Sequence, residues 1–249
     1  MSVVYINPYA LASTGAAQPV AGAVLWVDAS TLATGTGISA ATTSVANLGS
    51  QGGSFNIGVY DVVANGISTQ NALRFNGAAG RYLKSTNAYT NTGTTLTMFT
   101  VLQRIATGPV YSGYVSSIFP GTLDYADVRN FVYASSDPSS HIRAVRNGVG
   151  LGTLTHAGNG DTFIGTVKFD GTNLTHYQKT TAASTSATSA SSGTFGCTST
   201  SLGAIQAQSG GDINLYSNVF IGEILIYNSA LNDTDRLAVI SYLSTKWGV

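Results

Sequence analysis

The spacing of apolar residues changes once along this chain. As far as Asn228 they come in short runs with partial alternation, separated by Gly, Asn, Ser and Asp. Runs of this kind read as strands between turns. Beyond it, in "SALNDTDRLAVISYLSTKWGV", Leu237, Ile240, Leu243 and Trp247 recur at helical spacing, interrupted by Arg236. Asn232 is a good N-cap, Asp233 and Asp235 suit the positive end of a helix, Lys246 suits the negative end, and Gly248 can stop it. The pattern predicts an all-β chain finished by one helix over 233–246, long enough to cover an open edge or end of a sandwich.

Among the strands, "AVLWVDAS" (23–30) is the first. "ALRFNGAAGRYLKS" reads as two strands around a Gly-rich turn. "TLTMFTVLQR" is a central strand with apolar residues on both faces. "NFVYAS" and "HIRAVRN" are strands, whereas "TGPVYSGYVSS" and "FPGTLDYAD" read as loops that expose Tyr111, Tyr114 and Tyr125 for recognition or pack them over the core edge. "TFIGTVKFDGTNLTHYQKT" is a hairpin, with Asp170 and Gly171 supplying the positive φ angles of its turn. Residues 180–201, almost entirely Ser, Thr, Ala and Gly, read as a solvated loop running into a polar edge strand.

Residues 1–22 form an extended arm ahead of a domain at 23–249. Pro8 and Pro19 disfavour a helix there. Val4, Tyr5, Ile6, Tyr9 and Leu11, with Val3, are too apolar to stay in water. They pack on their own domain or dock on a neighbouring subunit.

Composition narrows the classes. Of 249 residues 43% are hydrophobic, enough for a core, but only 9% are charged, against roughly 25% in ordinary globular proteins. There are 28 Ser, 31 Thr and 29 Gly, so hydroxyls and amides replace charge at the surface. Net charge is zero and no Lys or Arg precedes Arg74. Nucleic-acid and polybasic membrane partners are therefore not expected. Cys197 stands alone, which excludes an internal disulfide, and reads as a small buried hydrophobe. No secretion signal is evident at the N-terminus. Cytoplasmic synthesis with an external surface chemistry fits a virus particle released by lysis.

The segment "IGEILIYNSALNDTDRLAVISYLSTKWG" resembles the C-terminus of LamG-like jelly-roll domains in the concanavalin A-like lectin/glucanase superfamily. Gly222, Tyr227, Asn228, Ala230, Leu231, Asp235, Tyr242, Leu243, Lys246, Trp247 and Gly248 carry the likeness. "AVLWVDAS", "LRFNGAAGRYLKS" and "VKFDGTNLTHYQ" resemble its opening strand, its F-[DN]-G pair and its DG hairpin. The resemblance implies a two-sheet antiparallel β-sandwich, a jelly roll, with one C-terminal α-helix. Activity does not follow, because this fold hosts glucanases, lectins and phage virion proteins alike.

The chemistry is sparse. A glycosidase needs two carboxylates across the scissile bond, and glucanases of this superfamily carry them in an E-x-D-x-x-E strand. Here Glu223 is the sole glutamate, alternating with Ile221 and Leu225 in a strand, which favours a structural role. His141, His156 and His176 are too dispersed for a metal centre. Asp124 and Asp127 are the closest unassigned acid pair and the place where a calcium ion would be held, though no dense acidic loop surrounds them. No cofactor is expected. The expectation is a non-enzymatic virion structural protein of a tailed bacteriophage, a capsid decoration or accessory protein in contact with other virion proteins. The alternative is a carbohydrate-binding adhesin module of a tail fibre or cell surface.

Overall fold

The computed structural model describes residues 19–105, 112–119, 129–137, 141–146, 149–155, 158–207 and 212–249. The arm residues Val4, Tyr5, Ile6, Tyr9 and Leu11 lie outside them, as do Tyr111, Tyr125, Asp124, Asp127 and His156.

The chain opens with β1 (Leu25–Asp28), a 3-10 turn (Ala29–Thr31), β2 (Gly35–Ser39), β3 (Val45–Ala46) and β4 (Ser54–Phe55). Then come β5 (Ile57–Ile67), β6 (Gln70–Asn76), β7 (Tyr82–Ser85), β8 (Leu96–Arg104) and β9 (Gly113–Ile118). β10 (Phe131–Asp137), β11 (His141–Arg146), β12 (Val149–Thr155), β13 (Thr162–Phe169), β14 (Asn173–Lys179) and β15 (Ser184–Ala190) continue. β16 (Ser199–Leu202), β17 (Ile205–Ala207), β18 (Asp212–Asn214) and β19 (Asn218–Tyr227) lead to the helix α1 (Asp233–Trp247).

Among the described residues fifteen strands join one antiparallel sheet, in the order β12-β11-β10-β9-β16-β7-β5-β6-β19-β8-β13-β14-β15. β1 adds to β19 and β2 to β5. The two ends of the path, β12 and β15, pack side by side, so the sheet nearly closes on itself as a barrel. Its interior holds one core that includes Leu25, Phe75, Met98, Phe131, Phe163, Phe169, Ile221 and Ile224. Phe169 meets both Phe131 and Phe195 edge-on, the favourable geometry for aromatic quadrupoles.

Part of the outer face is apolar too. Phe99 and Val101 of β8, Ile164 of β13 and Leu225 and Tyr227 of β19 form a second cluster with Val239, Ile240, Leu243 and Trp247 of α1. The helix therefore covers a sheet face and not an edge or end. β8 is apolar on both sides, so its outer side chains need a lid as much as the inner ones need a core. The caps are as the sequence predicts: Asn232 Oδ1 accepts from the Asp235 N–H at 2.9 Å, and Gly248 adopts φ 70°. The inward stripe is corrected. Leu237 is 54% exposed, and Val239 replaces it inside. Six residues before Leu243, Leu237 is rotated about 120° away from it at roughly 100° per residue.

Two further readings change. The segment read as the Tyr114 loop contains β9, buried along its length. The stretch read as a solvated loop running into a polar edge strand holds the exposed polar strand β15 at the end of the sheet, but also the buried, central β16. β9 and β16 pair, and their hydroxyls find partners: Ser117 Oγ and Thr200 Oγ1 lie 2.8 Å apart, and Ser201 Oγ donates to the Ala204 carbonyl at 2.8 Å. Satisfied hydroxyls can be buried cheaply, which is why Ser-rich sequence here is interior. In the β13–β14 hairpin only Gly171 has positive φ (98°). Asp170 instead closes the turn with its carboxylate, which accepts the N–H groups of Thr172 and Asn173.

Candidate functional site

The densest polar constellation lies beneath α1. β1 and β19 pair so that Asp28 stands opposite Glu223. A β-bulge between Ile221 and Glu223 shifts the register. Ile221 and Ile224 consequently point into the core while Glu223 points outward, correcting the simple alternation with Ile221. Two carboxylates on one face repel each other. Lys246, from the last turn of α1, lies between them, its Nζ 2.6 Å from Asp28 Oδ2 and 2.8 Å from Glu223 Oε2. Glu223, fully buried, also accepts from Trp26 Nε1 (2.8 Å), Trp247 Nε1 (2.9 Å) and the Tyr242 hydroxyl (3.1 Å). Asp28 Oδ1 accepts the Ser30 N–H and hydroxyl. Burial pushes the Glu223 carboxyl above the usual carboxylate range, Lys246 opposes that rise, and Asp28 adds to it. Burial likewise raises the Tyr242 phenol, with Glu223 adding to it.

This arrangement is a clamp. Three neutral donors and a cation occupy Glu223, leaving its oxygens nothing to offer a substrate. Trp26 and Asp28 come from the opening strand and Tyr242, Lys246 and Trp247 from the C-terminal helix, so these two segments, distant in sequence, meet in space. The structural role expected for Glu223 agrees with this geometry.

The other expected sites are placed as follows. Tyr114 is a buried strand residue packed 5.8 Å from the Tyr133 ring and belongs to no surface loop. His176 is buried in β14, with Nε2 3.2 Å from the Tyr133 hydroxyl. Burial pushes the Tyr114 and Tyr133 phenols up. Cys197 is buried and forms no disulfide, its thiol donating toward the Ser117 and Arg129 carbonyls. Among the described residues no three His, Cys, Asp or Glu side chains gather as a metal site.

A second feature was missed in the sequence. A groove of about 300 Å³ separates the first turns of α1 from the outer face of β13, β14 and β15, lined by residues including Thr166, Tyr177, Lys179, Ser186, Arg236 and Leu237. The register sets Thr166, Tyr177 and Ser186 in one row across the three strands, and Ile164, Lys179 and Ser184 in the next. The Arg236 guanidinium stacks on the Tyr177 ring at 4.2 Å, and its Nε donates to Asp233 Oδ1 at 3.1 Å. Lys179 Nζ donates to the Val249 carbonyl at 2.7 Å. Thr166 Oγ1 is buried with no hydrogen-bond partner among the described residues. The sequence signal was Arg236 itself, a cation set in an apolar stripe.

No protein-family model matches this chain, and no curated protein matches it in sequence. Solved structures do resemble it in fold. Trypanosoma rangeli sialidase in complex with sialic acid superposes with a TM-score of 0.55 at 14% identity, over 93% of this chain and 34% of that one. The binding domain of Botulinum Neurotoxin DC in complex with SialylT gives a TM-score of 0.54 at 9% identity, over 90% of this chain and 51% of that one. The chain thus spans about a third of the sialidase and half of the toxin domain. At such identity the likeness is one of architecture: a large antiparallel β-domain shared with proteins that differ in activity.

Proposed function

We propose that this chain is a non-enzymatic module, folded as a two-sheet jelly roll of the LamG-like kind, that serves as a structural or accessory protein of a tailed-phage virion. The occupied state of Glu223 carries the non-enzymatic part. The sole glutamate and the opposing Asp28 are bound to Lys246 under a helix, so this carboxylate pair is not set across an open cleft as a two-carboxylate glycosidase would need it. The virion setting rests on composition: 9% charge and an abundance of Ser and Thr, together with the apolar segment at residues 3–11. The test is to purify intact particles, detect the protein by mass spectrometry and count copies per particle. Absence from particles at stoichiometric level overturns the virion assignment.

A second reading is a carbohydrate-binding module. The groove beside α1 favours it, and the two fold neighbours named above are, by their descriptions, bound to sialic acid and to SialylT. Screening the protein against immobilised glycans tests this reading, and no retention on any sugar would overturn it.

A further inference from the structure

We infer that the groove between α1 and β13–β15 binds a sugar carrying a carboxylate, which rests on the carbohydrate-binding reading. Two cations, Lys179 and Arg236, line it, and no acidic side chain does. Asp233 takes only the Nε hydrogen of Arg236, so the two terminal amino groups of the guanidinium have no hydrogen-bond partner among the described residues. Planar guanidinium groups recognise carboxylates through such paired N–H donors.

The remaining walls suit a sugar ring. Thr166 is 1% exposed and its hydroxyl oxygen is unpartnered. A buried hydroxyl without a partner is costly, and a sugar hydroxyl entering the groove would satisfy it. Ser184 and Ser186 present further hydroxyls along β15. The exposed Leu237 offers apolar surface to the C–H face of a pyranose. A volume of about 300 Å³ lies at the small end of ligand sites, which matches one or two sugar units and not a long chain. Arg236 is held in place by the Tyr177 ring below it, so little side-chain freedom is lost on binding.

The experiment is calorimetric titration of the full chain with sialyllactose and with an oligogalacturonate, using lactose and a neutral galactose oligomer as controls. The expected result is binding of at least one carboxylated probe, tighter than its neutral control by about tenfold, the scale of one charge-assisted hydrogen bond, and weakened by salt. Arg236→Gln, Lys179→Gln and Thr166→Val should each weaken the carboxylated probe while leaving the melting temperature near that of the parent. Should Arg236→Gln fail to fold, Lys179→Gln on its partly exposed strand position decides. Sugar binding by the parent that all soluble variants retain undiminished, or that shows no preference for the carboxylate, overturns the groove assignment and leaves the carbohydrate reading standing. Absence of binding to every sugar, neutral ones included, overturns both.

Discussion

Asp28 and Glu223 stand directly opposite each other on paired strands, and one ammonium, that of Lys246, bridges them. Lys246→Met should therefore destabilise the fold by about 3–5 kcal/mol, since removing one member of a buried charge set strands the rest. Adding Glu223→Gln should recover part of the loss, because one of the repelling carboxylates is then neutral. Urea unfolding of the parent, both single variants and the double variant gives the coupling. Additive effects would show that the bridge contributes nothing.

Trp247 contributes both volume and a donor. Trp247→Ala should cost about 3–5 kcal/mol through the cavity beneath the helix. Trp247→Phe keeps most of the contact but leaves Glu223 one donor short, so about 1–3 kcal/mol is expected. Equal melting temperatures for the parent and Trp247→Ala would remove the helix from the stabilising core.

Gly222 makes room for that indole. A Cβ at this position would lie 2.8 Å from the Trp247 ring. Gly222→Ala should thus displace the ring and weaken the clamp without touching any charge, by about 1–3 kcal/mol. Near-ultraviolet circular dichroism, which reports the indole environment, should change along with stability. An unchanged spectrum would mean the ring does not sit against this backbone.

The β13–β14 turn should be acid-sensitive. Hydrogen bonds from the backbone N–H groups of Thr172 and Asn173 and from the Thr172 hydroxyl hold the Asp170 carboxyl at about 2, below the roughly 3.9 of an unfolded aspartate. With the folded value lower, the unfolded chain takes up its proton first. The contribution of Asp170 is therefore present above about pH 4 and is lost as pH falls through about 2. Carbon-detected NMR titration should place Asp170 near 2, and Asp170→Ala should flatten that part of the acid limb. A midpoint near 4 would refute the turn's role.

Hydrolysis is not expected. Incubation with glucans, galactans and sialylated lactose should release no sugar above a blank. Turnover that disappears in Glu223→Gln without loss of folding would overturn the structural assignment of the clamp.

Legibility in the sequence followed how each element earns its stability. α1 could be read because its caps, its terminal charges and much of its stripe are local. β8 and the β13–β14 hairpin could be read because apolar and β-branched residues mark them. β9 could not, nor could the interior place of β16, because their serines and threonines are buried by bonding to one another across strands distant in sequence. The outward aim of Glu223 depends on a one-residue bulge at Gly222, which strict alternation conceals. The groove depends on Arg236 meeting Tyr177, a contact set by how the helix docks on the sheet.

The order in which these pieces leave the ribosome matters. β8, with its two apolar faces, is synthesised well before α1, the last of the described elements to be made. Until α1 arrives, Phe99, Val101 and Ile164 have no lid, and Asp28 waits without its cation. Folding during translation can thus assemble the interior but leaves a sticky outer surface, the kind of intermediate that aggregates or recruits chaperones. A nascent chain stalled just before Ser229 should bind a hydrophobic dye or trigger factor strongly, and one extended past Val249 by a linker should release it.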